Sequence, residues 1–115
     1  MRPFVAPTLL AVAALAAPRL AAAELQIVAT TADVASVAQE IGCGHVEVTA
    51  LALHTQDPHW VDARPHLALK LARADLLLVV GLDLEVGWLP TLQTASRNGR
   101  IQVGGPGYVD CSTFV

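Results

Sequence analysis

The chain has 115 residues, 54% of them apolar, 15% charged and 4% aromatic, with a formal net charge of −3. Nine of its twenty alanines fall within the first 23 positions, so composition must be judged again without that segment. Residues 24–115 carry Arg64, Lys70, Arg73, Arg97 and Arg100 against ten acidic side chains, which excludes the concentrated basic face of a nucleic-acid binder. Their Val, Leu and Ala content and low charge also exclude disorder, and their length allows at most one small domain or part of a larger one.

Met1-Arg2-Pro3, an apolar stretch over residues 4–17 and the ending Pro18-Arg19-Leu20-Ala21-Ala22-Ala23 are the parts of a secretory signal. A membrane anchor is the alternative, but the stretch is interrupted by Pro7 and falls short of the roughly 20 residues that span a bilayer. The expectation is cleavage after Ala23, giving a periplasmic product without membrane insertion. Cys43 and Cys111 permit one disulfide in that compartment, but two reduced, apolar fillers fit the sequence equally well.

Residues 25–30 form an apolar run suited to a buried strand. Thr30 with Asp33 resembles a capping box, and Val34, Val37, Ala38 and Ile41 fall on one face of a helix that Gly42 stops. Val46, Val48 and Ala50 alternate as a second strand. Residues 53–64 have no period and read as a loop. Pro65 suits the first turn of a helix whose apolar face is Leu67, Leu71 and Ala74. Residues 76–80 (LLLVV) have no polar member, as in a strand of a parallel sheet covered on both faces. A partly helical stretch over 82–96 restarts near Leu89 because of Pro90. Asn98-Gly99 ends it, and residues 101–103 form the predicted fourth strand, followed by a glycine-rich loop. The alternation predicts an α/β fold: a mostly parallel sheet flanked by helices.

No nucleotide fingerprint follows the first strand, and Gly104-Gly105-Pro106-Gly107 is better read as a turn. No strained GxSxG elbow is present to expose a serine nucleophile. His54, His59 and His66 lie beside Asp57 and Asp62 in the loop after the second strand, where open α/β sheets bind ligands. Imidazole nitrogen with carboxylate oxygen suits Zn²⁺ or Mn²⁺. Spacing alone does not select a ligand, and exposed histidines that coordinate nothing are the plain alternative.

Gln56-Asp57-Pro58-His59, Asp62, Arg64-Pro65, the run from Leu69 to Leu76, and Gly81-Leu82-Asp83-Leu84-Glu85 together resemble the zinc/manganese-binding solute-binding proteins of ABC transporters. Val28-Ala29-Thr30-Thr31-Ala32-Asp33 resembles that family's start after its signal peptide. The resemblance implies a binding receptor and not an enzyme. It implies two α/β lobes joined by a long helix, with the metal held between them and passed to a membrane permease. It carries over one metal ligand, His59, and the remaining ligands would come from sequence beyond Val115. On that reading the chain is a signal peptide (1–23) and an incomplete first lobe (24–115) of a truncated receptor. Trp60-Val61-Asp62-Ala63 departs from the family's usual Thr-Tyr-Glu-Pro, and both cysteines stand where none is expected. Asp57 is assigned the orientation of its neighbouring imidazole. His54 and His45 are read as surface, His66 as a helix start, and Trp60 and Trp88 as packing anchors. A fragment of an exported α/β metallohydrolase using His59 and a non-functional truncated gene product are the alternatives.

Overall fold

The computed structural model describes residues 24–115, so the expected signal segment lies outside the described residues. Strands β1 (Leu25–Ala29), β2 (Val46–Ala50), β3 (Leu76–Val79) and β4 (Tyr108–Asp110) form one sheet in the order β2-β1-β3-β4. Every pairing is parallel, with Ile27 opposite Val48 and Leu76, and Leu78 opposite Val109. Helices α1 (Ala32–Gly42), α2 (Pro65–Ala72) and α3 (Leu89–Ser96) supply the connections. The expected parallel α/β architecture is therefore present.

Side chains alternate across a strand, and the two faces of this sheet are closed differently. Val28, Leu77 and Val79 join Leu67 and Leu71 of α2 and Leu92 of α3 in the main core. Leu71 and Leu77 are completely buried there. The opposite face carries Ile27 and Ala29, and α1 packs on it against β1 and β2. Strand order reverses between β1 and β3, so the chain winds away from that point in both directions. Ligands collect in the crevice at the carboxyl ends of strands beside such a reversal.

Three details depart from the reading of the sequence. The buried stripe of α1 is not the one the aliphatic residues suggest: Val37 and Ile41 are largely exposed, and Ala38 is its buried member. Small residues let the helix lie close to the sheet, and a Cβ on Gly42 would overlap the Val46 side chain. Thr31 rather than Thr30 stands at the N-cap of α1, and no side chain caps it. The Thr30 hydroxyl is drawn away to the buried Glu85 carboxylate.

The fourth strand is displaced as well. Ile101 ends a short 3-10 turn (Gly99–Ile101) and plugs the core, and the strand is Tyr108–Asp110. Side-chain hydrogen bonds hold the intervening turn back from the sheet. Gln93 donates to the Ile101 carbonyl at 2.8 Å, and Asn98 donates to the carbonyls of Leu71 and Ala74 at the end of α2. Pairing with β3 begins only where Gly107 accepts from the Leu77 N–H at 2.7 Å. The restart expected at Pro90 occurs: α3 begins at Leu89, with the proline in its first turn.

Candidate metal-binding loop

The loop carrying the histidines grows out of the end of β2. Leu51 and Ala52 are buried and continue the pairing with β1 beyond the strand, donating to the carbonyls of Ala29 and Thr30 at 2.9 and 3.0 Å. The chain then leaves the sheet at Leu53. Asp57-Pro58-His59-Trp60 closes as a turn in which the Trp60 N–H donates to the Asp57 carbonyl at 3.0 Å. Pro58 supplies the fixed φ that such a turn needs at its second position.

Within this turn Asp57 acts twice on His59. Its Oδ1 accepts the His59 backbone N–H at 2.9 Å and meets ring Nδ1 at 2.7 Å. The backbone hydrogen bond first, then the ring contact, hold the Asp57 carboxyl below the usual carboxylate range. An ionised Asp57 requires Nδ1 to be the protonated, donating nitrogen. In the neutral ring the Nε2 lone pair is then available, on a side chain that is 61% exposed. An imidazole that gives one N–H to a carboxylate and offers the other nitrogen is the common arrangement of a metal-ligating histidine.

The other candidates do not join it. His45 and His54 are exposed, the latter in the loop before the turn, and His66 is exposed in the first turn of α2. Among the described residues no group of three or more His, Cys, Asp and Glu side chains is placed to hold a metal. Asp62 faces Arg64 across 3.4 Å of water-exposed surface. Trp60 is 79% exposed beside His59 and is not the packing anchor expected of it, whereas Trp88 is 3% exposed and is one. Cys43 and Cys111 are both free thiols.

Beside the loop, at the carboxyl ends of β1 and β3, stands a residue that reasoning from the sequence did not single out. Glu85 is 3% exposed. One carboxylate oxygen accepts the Thr30 hydroxyl at 2.5 Å and the Val80 N–H at 2.7 Å, and the other accepts the Gly81 N–H at 3.2 Å. Gly81, Leu82 and Asp83 all have positive φ (86°, 54° and 63°), a left-handed turn that bends the chain back so that Glu85 reaches its donors. The signal available in the sequence was a lone glutamate four residues after the glycine that ends an all-apolar strand.

Tyr108, the first residue of β4, offers a test by titration. Tyr108 is half-buried, and burial, then the charges of Asp110 and Glu85, raise its phenol above the ordinary value of 10.0. It is the chain's single tyrosine, so its absorbance near alkaline pH has one source. The folded chain should titrate at higher pH than the chain in denaturant. A folded-state value raised in this way favours the native state below about pH 10, and that advantage declines as pH rises through the folded value. Coincident folded and unfolded titrations would place Tyr108 in solvent.

A lone loop histidine with a free Nε2, set beside the reversal of a parallel sheet, belongs to the class of α/β ligand-binding proteins. Residues 27–111 match the family described as zinc-uptake complex component A, periplasmic, and the chain belongs to that family. It is 44% identical over 62 residues to the manganese-binding lipoprotein MntA of Bacillus subtilis (strain 168), covering 54% of this chain and 20% of that protein. A crystal structure of ZnuA superposes with a TM-score of 0.60 at 26% identity, over 66% of this chain and 30% of that one. A ZnuA deletion mutant with zinc bound gives a TM-score of 0.61 at 26% identity, over 66% of this chain and 29% of that one. The chain thus spans about a fifth to three-tenths of the length of these relatives.

Proposed function

We propose that this chain takes part in an exported zinc- or manganese-binding receptor that delivers its ion to the membrane permease of an ABC transporter, with His59 Nε2 as a ligand. One observation carries the reading: Asp57 fixes the protonated nitrogen of His59 and leaves the other free at the ligand-binding end of the sheet. Membership of the zinc-uptake family supports it, as do the names of relatives that bind manganese or were crystallised with zinc. On this reading the ion is cargo, and no bond is made or broken by the protein. Residues 1–23 are the export signal, cut after Ala23, and residues 24–115 form part of the first α/β lobe. Mature protein recovered from the periplasm should begin at Glu24, and an intact N-terminus embedded in the inner membrane contradicts that part.

Ligand count sets the affinity. A closed zinc site uses about four donors at about 2.0–2.3 Å, and His59 is the single donor for which this reading argues. The 115-residue chain should therefore bind Zn²⁺ only in the micromolar to millimolar range, roughly 4–8 kcal/mol. Calorimetric titration with Zn²⁺ and Mn²⁺ tests this. His59→Ala should remove saturable binding, and His66→Ala should leave it within about twofold of wild type. Nanomolar binding lost on mutating His54 or His66 would mean that the loop holds a self-contained site and that His59 is the wrong ligand.

A further inference from the structure

We infer that Trp88 is a positioning residue for His59, coupling the exposed turn to the buried Glu85 clamp; the inference rests on His59 being a metal ligand. The Trp88 indole N–H donates to the Pro58 carbonyl at 2.8 Å. That carbonyl belongs to the Pro58–His59 peptide unit, whose other edge is the His59 N–H held by Asp57 at 2.9 Å. One planar group is thus gripped on both edges, which sets the direction in which the His59 side chain leaves the backbone.

The two grips differ in what they anchor. Asp57 lies on the same turn, with its side chain 58% exposed, so it orients the ring within the turn and fixes nothing relative to the sheet. Trp88 is 3% exposed in the main core at the start of α3. Among the described residues, its hydrogen bond is the one that joins residues 57–60 to another element. Trp88 is itself tied back: its backbone N–H donates to the Glu85 carbonyl at 3.2 Å. The Glu85 carboxylate is fastened in turn to Thr30 after β1 and to Val80 and Gly81 after β3. The strand ends, the left-handed turn and the indole therefore form one chain of contacts ending at the ligand's own peptide unit. A ligand so placed meets an incoming ion without first being ordered, and loss of such support in metal sites costs about 10- to 100-fold in affinity.

The experiment uses the 115-residue chain, wild type and Trp88→Phe, with Ile101→Val as a control for general loosening of the same core. In the metal-free protein, backbone amide order parameters at His59 and Trp60 should be near about 0.85 in wild type and fall toward about 0.6 in Trp88→Phe. Ile101→Val should leave them unchanged. In a Zn²⁺ titration followed by NMR, the Trp88 indole resonance should move with the same saturation curve as the His59 ring, and Trp88→Phe should weaken binding by about tenfold. Unchanged order parameters in Trp88→Phe, or equal weakening by Ile101→Val, would overturn the positioning role. The underlying reading fails separately, if His59→Ala binds zinc as wild type does. Should wild type bind no zinc at all, the metal-free order parameters still decide whether Trp88 holds the turn.

Discussion

Replacing Glu85 by alanine should cost about 3–5 kcal/mol of stability, a large share of what a domain of this size has. The reasons are local. Thr30 is completely buried, and its hydroxyl loses its acceptor together with the N–H groups of Val80 and Gly81. A buried donor left without a partner costs about 1–3 kcal/mol, and the empty space where the side chain stood adds to the loss. The left-handed turn at Gly81, Leu82 and Asp83 also loses what closes it, and each non-glycine residue held there opposes the fold by about 1 kcal/mol. Glu85→Gln preserves the shape and one accepting oxygen but turns an amide NH₂ toward a backbone N–H, so its loss should be about half as large. Urea denaturation of the three proteins checks both values. A loss below about 1 kcal/mol for the alanine variant would mean that water replaces the carboxylate and that the clamp is not structural.

A comparable effect is expected at Gly107, from crowding rather than from a lost partner. A Cβ there would overlap the carbonyl oxygen of Asp75 and lie 3.1 Å from that of Arg100. Both obstacles are backbone atoms and cannot swing aside as a side chain could. Gly107 is also tied on both sides, donating to Arg100 at 2.8 Å and accepting from Leu77 at 2.7 Å. Alanine must therefore push β4 away from β3 where their pairing begins, at a cost of about 3 kcal/mol. Gly44→Ala is the control, since nothing lies within 4 Å of its added Cβ. It should stay within about 0.5 kcal/mol of wild type. Equal melting of the two variants would show that β4 does not need the close approach.

These two positions also mark where the sequence stopped being readable. Apolar runs at Ile27–Val28 and Leu76–Val79 announce buried parallel strands because nothing polar interrupts them, and Pro65 and Pro90 announce helix starts through their fixed φ. Those signals are local, and the architecture follows from them. The displaced fourth strand and the unexpected helix face are not local. Val37 and Ile41 lie outward because a stripe of small residues allows closer contact with the sheet than branched chains would. Ile101 is strand-like by composition yet becomes a core plug because Gln93 and Asn98 hold that stretch at the end of α2.

The site divides in the same way. Asp57-Pro58-His59 is a three-residue unit whose turn and imidazole contact depend on its own neighbours, so the turn and that contact were legible in the sequence. The expectation that Trp60 packs inside fails, because aromatic character favours burial while its position in this turn leaves it 79% exposed. Glu85 reaches Thr30 across 55 positions of chain. A contact of that separation is set by strand order, which periodicity does not reveal.

The most direct measurement is the nitrogen spectrum of the four histidine side chains while Zn²⁺ is added to the metal-free chain. Before metal, His59 should show protonated Nδ1 and bare Nε2, the tautomer that Asp57 imposes. On titration, Nε2 of His59 should shift first and furthest, with His45, His54 and His66 following only at large excess. A His59 that begins as the opposite tautomer, or that stays unmoved while another histidine saturates, would contradict the assignment of His59 as the metal-accepting residue.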